Sequence, residues 1–202
     1  MTNTSVDSIN TPHKPRRPGR SSVRRIAFAA GFVAVVSGLA WWQNHHRETR
    51  FDELIWETAA RHDLDPFLVK AVIRQESRFR PNVRGKAGEV GLMQITEGAV
   101  IDWSIANDRS VPFPGGVFDP AINVEIGCWY LSKACARWRG HPEADVLALS
   151  QYNAGPTRAK RWSAFEEEKL LAAIPIASTR SYIVNVLSYR DEFTGNAPAT
   201  RP

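Results

Sequence analysis

The chain has 202 residues, 43% hydrophobic and 23% charged, a composition that excludes a disordered or collagen-like polymer and fits one domain with appendages. Its net charge of +5 resides in residues 1–25, which hold six basic side chains against the single acid Asp7; the remainder carries 20 basic and 20 acidic residues. A nucleic-acid surface is therefore not expected on the body of the protein. Two cysteines exclude a disulfide framework and a four-thiolate zinc site.

Residues 1–25 are rich in Pro, Ser, Thr, Asn and Arg and read as a disordered basic tail. From Ile26 to Trp42 the chain runs without a charge. As a helix this stretch spans about 25 Å, slightly short of a roughly 30 Å hydrocarbon layer. Arg24 and Arg25 precede the run and Trp41 and Trp42 close it, so it reads as a membrane-spanning signal anchor with the N-terminus in the cytoplasm and the body outside. A buried core helix rarely follows so basic a leader. Gly38 and Ala40 are spaced like a signal-peptidase site, which leaves cleavage and secretion as the alternative.

After a linker over 43–50, the body reads as all-helical. Phe51, Leu54, Ile55, Thr58 and Ala59 form one apolar face. Asp65-Pro66 caps a second helix that ends near Phe79, before Pro81. A glycine-containing stretch follows, then a helix from Gln94 to about Asn107 and a Pro- and Gly-rich loop over 108–120. Helices are expected over 121–138, 143–153 and from Ser178, a suitable N-cap, to Phe193; residues 194–202 form a flexible tail. Strand-like alternation and internal repeats are absent. Cys128 and Cys135 sit on one expected helix, a rise of about 10.5 Å that is too far for a disulfide. No histidine lies at ligand spacing beside them, so no metal is expected.

Glu76 stands out. Leu68 and Val72 precede it at eight and four residues, so a carboxylate ends an otherwise apolar stripe of the second helix. Its position near the helix C-terminus and partial desolvation both favour the neutral acid, which is what protonation of a glycosidic oxygen requires. A solvated glutamate paired with Arg80 is the plainer alternative.

Four ordered segments then bear on this residue. They are Gln75-Glu76-Ser77-Arg78-Phe79-Arg80-Pro81; Gly88 with Gly91-Leu92-Met93-Gln94-Ile95; Phe118-Asp119-Pro120 with Asn123, Gly127, Tyr130 and Leu131; and Tyr152-Asn153-Ala154-Gly155. Together they resemble the catalytic domain of the lytic transglycosylases, a lysozyme-like family that cleaves bacterial peptidoglycan. The resemblance implies an all-α, lysozyme-like domain over 51–193, with Glu76 as the catalytic acid and then base. It places Ser77, Met93, Gln94, Tyr152 and Asn153 in substrate binding, with Tyr152 beside Glu76 and Asn153 supporting it. It implies cleavage of the bond between N-acetylmuramic acid and N-acetylglucosamine with 1,6-anhydromuramic ends, no metal or cofactor, and glycan strands as partner of a monomeric enzyme. Met93 and Tyr152 also suit plain core packing.

Three positions depart from the family pattern: Gly85 where Ser is common, Glu97 where Pro is common, and Ser178 where an acidic residue opens a segment ending at Tyr182. Glu89, Glu97 and Asp102 fall outside the matched motifs. A single carboxylate suffices when the muramoyl C6 hydroxyl is the nucleophile, whereas a hydrolase of this chemistry needs two. A goose-type lysozyme-like hydrolase and an inactive peptidoglycan-binding module are the alternatives.

Overall fold

The computed structural model describes residues 20–112, 115–166 and 169–196, with the side chains of 20–30, 41 and 44 outside that description. The chain divides into two units, Met1–Asn44 and His45–Pro202. Of the expected tails over 1–25 and 194–202, residues 1–19 and 197–202 lie outside the described residues, and 194–195 belong to the last helix.

Helix α1 spans Arg20–Thr49. It is longer at both ends than the expected run: residues 20–25, assigned above to the disordered tail, and 43–49, assigned to a linker, are helical. No proline interrupts the sequence between Ser21 and Thr49, so nothing stops the helix from propagating past the apolar run. Among the described residues no helix is long and apolar enough to cross a membrane. The expected span lies partly outside them, at 26–30 and Trp41. Its described apolar side chains, Phe32, Val33, Val35, Val36, Leu39 and Trp42, are all exposed.

The second unit is helical, and its described residues contain no strand beyond two isolated bridges pairing Val90 with Arg84 and with Ile95. Helix α2 covers Asp52–Arg61 and α3 covers Pro66–Ser77. The Asp65 carboxylate accepts from the Phe67 N–H at 2.9 Å, and Pro66 opens the helix. Leu68 through Ile73 are all buried, so α3 is covered on every side rather than on one stripe. Its end is abrupt, because Arg78 and Phe79 both take positive φ (52° and 58°). Two consecutive non-glycine residues in this region are strained, and burial of Phe79 holds them there.

Helix α4 covers Glu97–Ala106, α5 Pro120–Trp138 and α6 Ala144–Ala154. Helix α4 starts three residues later than expected. Gln94 adopts φ 48°, and Thr96 is the N-cap, accepting from the Ala99 N–H. Glu97 occupies the first turn, a favourable site for negative charge. Two short helices, α7 (Pro156–Trp162) and α8 (Leu170–Ala173), were not expected. Gly155 at φ 89° stops α6 and turns the chain, and Pro156 begins the next helix. Helix α9 covers Ala177–Gly195, with Ile176 and not Ser178 at its N-cap; Ser178 lies exposed in the first turn and makes no cap. Helix α9 packs along α3, and α5 packs on α2, α4 and α6. Lys70, buried on α3, bonds Asp52 of α2 and lies 5.0 Å over the Phe193 ring of α9, tying the three helices. Cys128 and Cys135 are free thiols.

One buried side chain fixes the loop between α3 and α4. Asn123 of α5 accepts from the Met93 N–H at 2.8 Å and donates to the Val90 and Val117 carbonyls, both at 2.9 Å. Gly91 leaves room for this amide, because a Cβ there would lie 2.1 Å from Asn123 Nδ2. Gly127, one turn further along α5, leaves room for Met93, whose sulfur sits 2.3 Å from the position a Cβ would occupy. We expect Asn123→Ala to lower stability by about 3 kcal/mol, three buried hydrogen bonds at about 1 kcal/mol each, measured by urea unfolding.

Candidate active site

Glu76 is carried by the last turn of α3, with its side chain only partly exposed. The Tyr182 hydroxyl donates to Glu76 Oε1 at 2.8 Å. Burial raises the Glu76 pKa from 4.5 to about 7; Tyr182, which favours the anion, pulls against this, and the negative charge of Glu89 adds to it. Tyr182 is itself buried, which pushes its hydroxyl well above the usual tyrosine range and keeps it a donor. The result is a carboxyl group that exchanges its proton near neutrality, held in orientation by a phenol from the opposite end of the chain.

The other expected residues separate into two groups. Gln94, Tyr152 and Asn153 line one cavity of about 230 Å³, together with Ile95, Tyr130 and Gln151. The Gln94 amide donates to the carbonyls of Gly91 (2.9 Å) and Val83 (3.2 Å), which fixes its left-handed backbone. Met93 and Ser77 do not line this cavity. Met93 is fully buried under Gly127, and the Ser77 hydroxyl turns back to donate to the Ile73 carbonyl.

Tyr152 and Asn153 take part in separate hydrogen bonds. The Tyr152 hydroxyl donates to the Met93 carbonyl at 3.0 Å, while Asn153 accepts from the Thr179 hydroxyl at 2.8 Å. The hydroxyl bonded to Glu76 is that of Tyr182, while the charge of Glu76 reaches Tyr152 and helps keep its hydroxyl protonated. The reason is topological: α9 lies along α3 and brings Tyr182 to the carboxylate, whereas α6 delivers Tyr152 to the Gly-Leu-Met-Gln loop.

Two contributors were missed from sequence. Tyr182 was noted only as the end of a family segment, and its contact spans 106 residues. Glu89 has no motif of its own. Its Oε2 and the Gln94 Oε1 occupy the space of a Gly85 side chain, at 2.2 and 2.8 Å from the position of a Cβ. The Ala87 N–H donates to the same Glu89 oxygen at 3.1 Å. The absence of a side chain at Gly85 and the presence of a carboxylate at Glu89 are therefore one feature. Among the described residues, no group of three or more His, Cys, Asp or Glu could hold a metal ion.

A helical domain that carries a near-neutral carboxyl at a helix end, bonded by a helix-borne tyrosine, is similar in fold to solved lytic transglycosylases. An inactive mutant of the lytic transglycosylase Slt from Pseudomonas aeruginosa superposes with a TM-score of 0.68 at 28% identity, over 76% of this chain and 25% of that one. The 70-kDa soluble lytic transglycosylase in complex with bulgecin A gives a TM-score of 0.68 at 26% identity, over 88% of this chain and 31% of that one. Residues 53–173 match the transglycosylase SLT domain, and the chain belongs to that family. The soluble lytic murein transglycosylase of Salmonella typhimurium is 30% identical over 169 residues, 77% of this chain and 25% of its own length. Membrane-bound lytic murein transglycosylase F of Desulfosudis oleivorans is 36% identical over 112 residues, 54% of this chain and 23% of its own. The chain thus spans about a quarter of the length of these curated relatives. The family match ends before α9, which carries Tyr182.

The electrostatics give paired expectations. Followed by carbon-13 NMR, the Glu76 titration should move to higher pH in Tyr182→Phe, which loses a donor to the anion, and to lower pH in Glu89→Gln, which loses a neighbouring negative charge. Stability follows the same linkage. With a folded pKa raised to about 7 from 4.5, the contribution of Glu76 is fully present below pH 4.5 and is lost as pH rises through 7. Glu76→Gln should therefore be more stable than the parent at pH 8, by up to about 3 kcal/mol, and nearly equal at pH 4.

Proposed function

We propose that this chain is a peptidoglycan lytic transglycosylase that cleaves the β-1,4 bond between N-acetylmuramic acid and N-acetylglucosamine, leaving 1,6-anhydromuramic ends. The observation that carries the reading is Glu76, a carboxyl poised near pH 7 with one oxygen held by Tyr182. In the acid form it protonates the glycosidic oxygen, and the bond from that oxygen to the muramoyl C1 breaks. The resulting carboxylate, steadied by Tyr182, takes the proton of the muramoyl C6 hydroxyl, whose oxygen bonds to C1 and closes the anhydro ring. One group gives a proton and receives one back, so no water is consumed. Gln94, Tyr152 and Asn153 are assigned to the sugar cleft, and Ser77 and Met93 support it through the backbone they hold.

The carboxylate of Glu89 favours a second reading. A second acidic group is what a goose-type lysozyme-like hydrolase would use to activate water. Mass spectrometry of products from purified strands separates the two, anhydromuramic ends against reducing ends. Glu76→Gln should reduce cleavage by about 10² to 10⁴, since glutamine lacks an acidic proton. Glu89→Gln should retain appreciable cleavage; loss as deep as that of Glu76→Gln would favour the hydrolase, and robust cleavage by Glu76→Gln would remove the transglycosylase reading. A peptidoglycan-binding module without activity would show no cleavage in the parent protein.

The exposed apolar side chains of α1, together with the basic residues before them, support a single-pass anchor over 26–42 in the cytoplasmic membrane, with the body on the wall side. Cleavage near Ala40 would release it. Alkaline phosphatase fused after Trp42 should be active in a bacterial host, and an inactive fusion would overturn both the topology and the wall substrate.

A further inference from the structure

The Tyr182 hydroxyl reaches Glu76 only while α9 keeps its register on α3. A slip of one helical turn, about 5.4 Å, would carry it out of hydrogen-bond range. Along α9, Tyr182, Val186, Tyr189 and Phe193 recur at helical spacing and form one stripe. Their partners on α3 run in the opposite order. Tyr182 meets Glu76, Tyr189 and Phe193 meet Arg74, and Phe193 extends to Lys70. The two helices are therefore antiparallel, and the ring contacts mark their register.

Arg74 is the centre of that register. Its guanidinium lies 4.3 Å from the Tyr189 ring centroid and 5.3 Å from that of Phe193. Its Nη1 is 3.0 Å from Glu192 Oε1, also on α9, and its Nε is 3.9 Å from Glu48 Oε1 in the last turn of α1. Nη1 is buried and out of hydrogen-bond alignment with Glu192, so the rings, and not a directed bond, fix where the guanidinium lies. Arg74 stands two residues before Glu76, on a different side of α3. The groups that act on the Glu76 carboxyl are Tyr182 from α9 and Glu89 from the loop, with Tyr152 of α6 within reach of its charge; Arg74 is not among them. Any influence of Arg74 on the acid therefore passes through α9.

We propose that Arg74 is a positioning residue for the candidate acid: by holding the Tyr189 and Phe193 rings it keeps α9 in the register that delivers the Tyr182 hydroxyl to Glu76. The proposal rests on Glu76 as the proton-transfer group of the reading above, but its test does not require cleavage. In Arg74→Gln the carbon-13 titration of Glu76 should move to higher pH by about one pH unit, because a donor to the anion is lost. In a Tyr182→Phe background the same substitution should add nothing, since no hydroxyl is left to misplace. An equal shift in both backgrounds would mean that the Arg74 charge acts on Glu76 directly, and would overturn the proposal. So would a lower melting temperature with the titration unmoved, which is the mark of a purely structural residue. Tyr189→Leu, a milder disturbance made from the α9 side, should shift the titration in the same direction, and Tyr189→Phe, which keeps the ring, should leave it in place. If Arg74→Gln does not fold, this pair decides, and an unmoved titration in Tyr189→Leu overturns the proposal. On glycan strands Arg74→Gln should lower kcat by about tenfold at neutral pH with KM kept, as expected when one charge-assisted bond at the acid is lost. A parent protein that cleaves no strand would remove the activity reading and leave the titration to decide the role of Arg74.

Discussion

The buried amide of Asn123 determines where the loop between α3 and α4 runs, and the candidate site depends on that loop. Without this amide the Met93 N–H and the Val117 carbonyl would lose a buried partner, at a cost of about 1–3 kcal/mol each, and the Val90 carbonyl would keep only the Ile95 N–H. Asn123 satisfies all three from one position on α5. Two glycines are tied to this single contact, Gly91 because the amide occupies its side-chain space and Gly127 because Met93 occupies its own. With Met93 held, its carbonyl accepts the Tyr152 hydroxyl, and α6 is attached to the same loop. The spaced residues of the Gly-Leu-Met-Gln, Asn-Gly and Tyr-Asn segments are in this sense parts of one hydrogen-bonded junction.

Against that rigid loop, Glu76 is held by opposing electrostatic effects. Burial and the charge of Glu89 favour the neutral acid, while the Tyr182 hydroxyl favours the anion, and their resultant lies near 7. An environment dominated by burial alone would keep the proton permanently, and one dominated by donors would release it. The proposed acid-then-base role of Glu76 calls for a group between those limits. The positive φ values at Arg78 and Phe79 end α3 directly after Glu76, so the carboxyl projects from a helix terminus and not from a continuous helical surface.

Gly85 illustrates how a departure from a family pattern is resolved in space. On the sequence it is a missing hydroxyl. In the folded chain the vacated volume holds the Glu89 carboxylate, four residues on and supported by the Ala87 N–H. The turn between Gly85 and Glu89 places the two at one point, a relation that neither helical nor strand spacing would suggest.

Helices α2, α3, α5 and α6 were legible because each combines apolar positions with a local signal: Asp65-Pro66 and Asp119-Pro120 cap and open two of them by contacts within three residues. Glu76 was legible for the same reason, as a carboxylate ending a stripe begun by Leu68 and Val72. Periodicity also implied the free cysteines, since their separation is set by helix rise alone. What sequence could not supply are the partners reached across the fold. Tyr182 rather than Tyr152 bonds Glu76 because α9 packs on α3, a contact that bridges 106 residues. Met93 faces the core and the Glu89 carboxylate fills the Gly85 side-chain space because of one amide on α5 and one glycine in a turn. Helix-forming signals act over a few residues and are written locally; a proton-transfer group's pKa is set by burial and charge contributed by whichever segments tertiary packing brings beside it.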